Sequence, residues 1–325
     1  MTASRQVRWG IIGTANIARG AFLPGLRHAG GVASVVAGRE AARAAKFASD
    51  NGVQRSVAGY DRLLADPAVD AVYIALPNSL HAEWTIRALE AGKPVLCEKP
   101  LCGTLADAER VLAAAGRTGT LLWEAFVFPF HAQMRAIEEL VAGGAIGELT
   151  EIRSCFHFSA TNPANIRYSR ELEGGALLDV GCYPVRLAQL LLGAHHEGAW
   201  AGARMGGDGV DVDTWGVLSY PGGRRLMLSC GLRRSYDTAT TLAGTSGQIR
   251  ITNPFHPGPG DSYQVLAAGA EPRTCDAAAG EPSFSPAIRH INAAIGGEEP
   301  PRMTAAETSL AMARALSDLG RLLAG

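Results

Sequence analysis

Residues 7–12 form a short apolar run that breaks at Gly13-Thr14-Ala15-Asn16-Ile17-Ala18 and restarts as a helical pattern reaching about His28. A strand that ends in a glycine turn and continues as a helix constrains the fold more than any other feature of this chain. The six residues fit G-x-G-x-x-G with alanine at the second and third conserved positions. Gly13 permits the tight turn, Ala15 lets a pyrophosphate approach fairly closely, and Ala18 allows close helix packing. Phosphates favour such a helix start, where free N–H groups and the helix dipole attract anions. Gly13, Thr14, Ala15, Asn16 and Ile17 are therefore candidate dinucleotide-binding residues; a tight turn without a ligand is the alternative.

The same alternation continues. Residues 32–37, 71–76, 95–98 and 121–124 read as strands, with helices over 40–50, up to Ala91 and from Thr104 to Gly116. Gly92 is a natural helix stop, and Thr104 with Asp107 three residues on is an N-cap signature. Strands separated by helices imply a parallel sheet with right-handed crossovers. From residue 152 the pattern changes to sheet-like runs at 213–220, 225–232 and 237–243, joined by turns such as Pro221-Gly222-Gly223. That is the signature of an antiparallel or mixed sheet. A helical segment over 176–192 precedes these runs, helices from Ser285 and Thr304 close the chain, and residues 253–260 read as a loop. The expected class is α/β: a doubly wound parallel sheet over 1–122 and a second α/β domain over 123–325.

Composition narrows the function classes. The chain is 47% hydrophobic with a net charge of -1, which gives no electrostatic case for nucleic acid or an anionic membrane surface. No apolar run is long enough to span a bilayer, and Met1 to Gln6 shows no signal-peptide apolar region, so a cytoplasmic location is expected. The six cysteines are scattered with no C-x-x-C pair, which suits reduced thiols. The eight histidines lack metal-type spacing, and no metal site is expected.

Cofactor selectivity is written at the end of the second strand. An acidic residue there would hold a ribose 2′-hydroxyl, but this chain has Ala37-Gly38-Arg39, with Arg43 one helical turn later. Guanidinium groups suit a 2′-phosphate, so NADP(H) is favoured over NAD(H), with Gly38, Arg39 and Arg43 as candidate contacts. A solvated surface arginine is the alternative, and Glu40 next door favours it.

Lysine is rare: only Lys46, Lys93 and Lys99 occur, the other basic side chains being arginine. Lys99 follows the buried strand Val95-Leu96-Cys97-Glu98, at the strand end where doubly wound sheets place ligands. A lysine can tune its proton affinity where an arginine cannot. Later, Gly174-Gly175 lead into Asp179 and Tyr183, four apart and on one face of a helix. A phenol with an ordinary pKa near 10 exchanges protons poorly at neutral pH, and a neighbouring ammonium would correct that. Lys99 and Tyr183 thus make a proton relay for carbonyl reduction; a structural Asp179 and a core Tyr183 satisfy the pattern equally.

Together these residues strongly resemble the glucose–fructose oxidoreductase/inositol dehydrogenase/MocA family. The match covers the opening fingerprint, Leu76-Pro77-Asn78 with His81, Glu98-Lys99-Pro100, and the glycine-led segment with Asp179 and Tyr183. The resemblance implies an N-terminal Rossmann domain that binds NADP(H) and a C-terminal substrate domain. The latter's large open sheet often mediates oligomerisation, so a homo-oligomer (dimer or tetramer) is expected. It also implies catalytic roles for the Lys99 and Tyr183 positions and a nicotinamide pocket near Leu76, Pro77, Asn78, His81 and Glu98. For Asn78 and His81, a helix cap and a polar helix residue remain open. Asn165-Ile166-Arg167-Tyr168, Gly181-Cys182-Tyr183-Pro184-Val185-Arg186 and Ser235-Tyr236 are similar to the sugar-nucleotide 3-ketoreductases of this family. That similarity makes Arg167, Tyr168 and Tyr236 substrate-side candidates beside Lys99 and Tyr183, with surface or loop-packing roles as alternatives for those three, while Asp179 is a candidate for the catalytic set that positions the sugar or orients the relay. The expected activity is NADPH-dependent reduction at C3 of a nucleotide-linked (dTDP-type) keto-deoxysugar; NAD(P)-dependent oxidation of a free sugar or dihydrodiol is the alternative, since the same site chemistry run backwards serves both. A non-enzymatic dinucleotide-binding regulator is the third reading, disfavoured by retention of both Lys99 and Tyr183.

Overall fold

Six parallel strands build the first sheet, in a computed structural model that describes residues 6–277 and 280–323. The opening Met1 to Arg5 lies outside the described residues. Strand β1 (Arg8–Ile12) runs through a π-turn (Ala18–Phe22) into α1 (Leu23–His28). There follow β2 (Val32–Gly38), α2 (Ala41–Asn51), β3 (Arg55–Ala58), α3 (Tyr60–Leu64), β4 (Ala71–Ile74), α4 (His81–Glu90), β5 (Val95–Cys97), α5 (Leu105–Thr118) and β6 (Leu122–Glu124). The strand order is β3-β2-β1-β4-β5-β6. Direction of winding reverses between β1 and β4, which creates a crevice at the carboxyl ends of those strands. Helices cover both faces, so β4 is buried throughout and Trp9, Ile11 and Ile12 of β1 are fully enclosed.

The Thr104 cap forms as its sequence signature predicts: its side chain accepts the Asp107 N–H at 3.1 Å and opens α5. The short edge strand β3 and helix α3 carry no comparable sequence signal.

The second sheet has nine strands. The chain forms α6 (Ala132–Ala142), β7 (Leu149–Ser159), a π-turn (Leu177–Gly181) leading into α7 (Cys182–Leu192), then β8 (Gly198–Met205), β9 (Asp211–Tyr220), β10 (Arg224–Gly231), β11 (Arg233–Asp237), β12 (Thr240–Gly244), β13 (Gly247–Ile251), β14 (Ser262–Ala267) and β15 (Arg273–Asp276). Their order is β15-β14-β13-β12-β7-β10-β9-β8, with β11 pairing β7 off this path. Only β7 and β10 run parallel; the other neighbours are antiparallel. Strand β9 alternates buried and open positions, the mark of a sheet with one covered face. Helix α7 lies against β7 and β10 on that covered face.

Two further helices, α8 (Ser285–Ile295) and α9 (Ala305–Leu322), close the chain. Residues up to Val127 cluster with Glu281–Leu310 as one compact unit, and Phe128–Gly280 with the segment from Ala311 as another. The return of the chain to the first unit has a packing cause. Phe22 stacks on Tyr73 with centroids 3.9 Å apart, and Phe284, just before α8, meets both rings edge-on at 6.1 Å. Trp9 Nε1 donates to Asn292 Oδ1 at 3.0 Å, and Trp123 Nε1 to the Arg302 carbonyl at 3.0 Å.

Glu124, at the end of β6 and 4% exposed, is the polar anchor of this unit. Its carboxylate accepts the Leu101 N–H at 2.8 Å and the Ser309 hydroxyl at 2.7 Å. Glu124→Met withdraws that acceptor from two buried donors, each orphaned donor costing about 1–3 kcal/mol. The expected outcome is a clear fall in the urea midpoint of unfolding, followed by circular dichroism; an unmoved midpoint would show that these bonds carry no stability.

Candidate active site

The first unit presents a cradle at the ends of β1 and β2. Gly13 has φ +100° and donates its N–H to the Ala37 carbonyl at 2.9 Å. A Cβ at this position would lie 2.3 Å from the Ala75 carbonyl oxygen, so only glycine fits between β2 and β4. Thr14 and Ala15 are half-buried, Asn16 and Ile17 are exposed, and Ala18 is buried beneath them. An open turn over a buried small residue suits close approach of a dinucleotide. Strand β2 ends at the buried Gly38, and Arg39 and Arg43 are both exposed beyond it. Neither guanidinium has an ion-pair or hydrogen-bond partner among the described residues, although both act on Tyr60. Burial pushes the Tyr60 phenol up, and the two arginine charges oppose that shift. Two exposed guanidinium groups at this strand end fit a phosphorylated ribose.

A second cluster of the same unit surrounds the ends of β4 and β5. Leu76, Pro77 and Asn78 follow β4 and are half-buried, as is Lys99 after β5. The fully buried His81 ties the two loops together. Its Nδ1 lies 2.8 Å from the Pro100 carbonyl oxygen and its Nε2 lies 2.9 Å from that of Leu76. Burial pushes the imidazole pKa down, the two carbonyls pull it back, and the Lys99 charge adds to the fall. Both ring nitrogens are engaged by backbone, so His81 serves as the support of the loops. The buried Glu98 accepts the Tyr73 hydroxyl at 2.6 Å. With Glu124 on the Leu101 N–H, three buried side chains hold the stretch that bears Lys99.

The second unit gathers Arg167, Asp179, Tyr183 and Tyr236. Gly174 and Gly175 make this possible. A Cβ on Gly174 would lie 2.4 Å from the Arg167 carbonyl oxygen, and one on Gly175 would lie 2.2 Å from Asp211 Oδ1. With no side chains in the way, the Gly175 N–H donates to the Arg167 carbonyl at 2.8 Å. The buried Asp211 then accepts the Leu177 N–H at 2.7 Å and the Thr214 hydroxyl at 2.6 Å; burial pushes its carboxyl pKa up and these bonds oppose that. Asp179 sits in the π-turn, a device common at functional sites. It receives Arg167 Nε at 2.5 Å.

Tyr183 stands in the first turn of α7, 7% exposed, on a bed of rings. Centroids of Phe156, Phe255 and His256 lie 5.1, 5.2 and 5.3 Å from its own. Tyr236 is 59% exposed, and its ring is 6.2 Å from Phe156. Tyr168, by contrast, is buried and gives its hydroxyl to the Ala160 carbonyl at 2.7 Å, so the phenol packs the loop that precedes the glycine pair. Sequence reading passed over Phe255 and His256, which lie in the segment read only as a loop. The signal was present as two ring side chains set among prolines and glycines in Pro254-Phe255-His256-Pro257-Gly258. Glu124 and Asp211 were also passed over, because only distant backbone partners define their roles.

Comparison with known proteins places both units. A family model described as "Oxidoreductase family, NAD-binding Rossmann fold" matches residues 7–126, and one described as "GFO/IDH/MocA C-terminal domain" matches residues 134–250. The chain is 39% identical to the uncharacterized oxidoreductase ORF334 of Rhizobium meliloti, over 82% of this chain and 83% of that protein. It is 36% identical to the dTDP-3,4-didehydro-2,6-dideoxy-alpha-D-glucose 3-reductase of Streptomyces violaceoruber, over 91% and 89% of the two chains. The crystal structure of KijD10, a 3-ketoreductase from Actinomadura kijaniata in complex with NADP and TDP-benzene, matches with a TM-score of 0.89 at 34% identity, covering 98% of each chain. KijD10 structures with a tyrosine replaced by phenylalanine, or a lysine by alanine, match similarly. The glycine cradle, the supported lysine turn and the two matching family models lead to one assignment: the chain belongs to the GFO/IDH/MocA oxidoreductase family and is an NAD(P)-dependent oxidoreductase acting on CH–OH and C=O groups.

Proposed function

We propose that this enzyme is an NADPH-dependent ketoreductase acting at C3 of a nucleotide-linked, dTDP-type keto-deoxysugar. The observation that carries this reading is similarity along 91% of the chain to a dTDP-sugar 3-reductase, in a protein that keeps both Lys99 and Tyr183. The lysine and tyrosine replaced in the KijD10 variants are the same number of residues apart as Lys99 and Tyr183, which supports the same pairing here. The first unit would bind the dinucleotide through Gly13 to Ile17, with Gly38, Arg39 and Arg43 at the 2′-phosphate and Leu76, Pro77, Asn78 and Glu98 toward the nicotinamide. The second unit would bind the sugar.

When bound, NADPH supplies the hydride that reduces the C3 carbonyl carbon. Tyr183 gives its phenolic proton to the carbonyl oxygen as general acid. Lys99 stabilises the negative charge that develops on that oxygen, the electrostatic contribution that is usually largest. Asp179, held by Arg167, accepts a sugar hydroxyl and fixes its orientation. Tyr236 offers an exposed ring to the substrate.

The test is NADPH oxidation with a dTDP-3-keto-deoxysugar generated in situ, beside free sugars and diols with NADP⁺. Turnover confined to the nucleotide sugar supports the proposal, and turnover confined to free sugars or diols overturns it. In the active assay Tyr183→Phe should lower kcat by roughly a hundredfold or more, the usual scale of general-acid catalysis, with NADPH affinity by fluorescence unchanged. Undiminished turnover would remove Tyr183 from the chemistry.

The arginine pair sets a second expectation. Arg39→Ala should weaken NADPH binding and leave NADH binding as it was, measured by titration calorimetry. Equal weakening of both would overturn the 2′-phosphate contact.

A homo-oligomer is also part of the proposal, formed through the open face of the second sheet. Trp200 on β8 and Met227 on β10 both pair with Val217 on β9, and Trp215 lies two residues before Val217. The four side chains therefore share one face, with Trp200, Trp215 and Met227 at 57%, 43% and 42% exposure. So much contiguous apolar surface favours a second copy of the chain. Trp200→Glu combined with Met227→Lys should give a smaller species by light scattering; an unchanged mass would exclude this face.

A further inference from the structure

Of Arg167, Arg170, Arg233 and Arg234, which lie on β11 or in the loop that precedes Gly174, two pair with a carboxylate. Arg167 is paired with Asp179 and rests over the Phe158 ring at 5.3 Å. Arg234 lies 3.6 Å from Asp213. Arg233 differs. Its guanidinium rests over the Tyr168 ring at 5.0 Å, it is exposed, and no carboxylate partners it among the described residues. Asp179 is committed to Arg167, and Asp213 to Arg234.

The platform beneath Arg233 is rigid. Tyr168 is buried and anchored by its hydroxyl to Ala160, and Arg233 is registered opposite Ser159, next to Phe158. The Tyr168 hydroxyl reaches the Ala160 carbonyl, two residues past Phe158, so the Arg167 and Arg233 guanidinium groups rest over rings held at the same end of β7. A stacked guanidinium keeps its planar fork free for bidentate bonding and loses less freedom when it binds. One of the two is neutralised and leads through Asp179 to Tyr183; the other carries an unbalanced positive charge.

We infer that Arg233, with Arg167 beside it, forms the subsite for the diphosphate of a nucleoside-diphosphate substrate. This rests on the nucleotide-sugar reading above and adds the group that recognises the nucleotide. Arg233 binds phosphate oxygens in charge-assisted pairs. Arg167 orders Asp179 on the sugar side and lends its remaining N–H groups to the same diphosphate. The sugar is thereby directed toward Asp179 and Tyr183, so a free sugar, lacking the diphosphate, loses this contribution to binding.

Titration calorimetry of the full-length protein saturated with NADP⁺ tests this, using dTDP and dTMP as probes. The wild type is expected to bind dTDP more tightly than dTMP. Arg233→Ala should weaken dTDP binding by roughly tenfold or more, as for loss of a charge-assisted pair, with little change for dTMP and none for NADP⁺. Arg233→Lys should fall between the two, because it keeps the charge and loses the fork. With the nucleotide sugar as substrate, the Arg233→Ala effect should appear in KM rather than kcat. If the wild type binds dTDP and Arg233→Ala binds it equally, the subsite is wrong while the nucleotide-sugar reading stands. If the wild type does not bind dTDP at all, the nucleotide-sugar reading falls and the subsite with it.

Discussion

The stretch from Glu98 to Leu101 belongs to no helix or strand, yet it is largely buried, and this is the constraint on which the first unit depends. Backbone polar groups taken out of water must be paired, and a turn has no ladder of its own to pair them. Here side chains from other elements do so. His81 of α4 meets the Pro100 carbonyl, Glu124 at the end of β6 accepts the Leu101 N–H, and Ser309 of α9 in turn gives its hydroxyl to Glu124. The position of Lys99 is thus set by residues from three separate elements. A buried carboxylate and a buried imidazole are costly by themselves, and the bonds they make offset that cost.

A parallel economy governs the second unit. Two adjacent glycines let the Arg167 backbone lie against the entry to α7, where any side chain would collide. Asp211 fills the space beside them and accepts the Leu177 N–H at the start of the π-turn. Asp179 and Tyr183 then follow in order along the helix. The Tyr183 ring completes the aromatic packing of Phe156 and Phe255, while its hydroxyl is the proton donor in the chemistry we propose.

Much of this architecture is legible locally. The strand, glycine turn and helix at the opening are dictated by neighbours in sequence, and the cap at Thr104 is visible as two residues three apart. The hairpin at Pro221-Gly222-Gly223 is equally local, and β9 and β10 flank it with alternating burial. Strand β3 was not legible, because its residues are half-exposed on a sheet edge and lack an apolar run. The return of residues 281–310 to the first unit was invisible too. It depends on Phe284 meeting Phe22 and Tyr73, and no periodicity records which distant ring a phenylalanine will find.

For the site, residue type carried further than residue role. The rarity of lysine marked Lys99, and an arginine directly after β2, where an acidic residue would serve a ribose hydroxyl, marked Arg39. The placement of His81 and Tyr168 as supports, and of Phe255 and His256 beside Tyr183, required coordinates. The sequence by itself determined the fold class, the turn that only Gly13 can make, and the chemical groups available. Tertiary structure alone decided which of those groups are spent on holding backbone and which stay free, as Tyr168 is spent and Arg233 is free. The reason is physical: propensity and periodicity act over a few residues, whereas a hydrogen bond is allotted by whatever donor or acceptor the folded chain brings within reach.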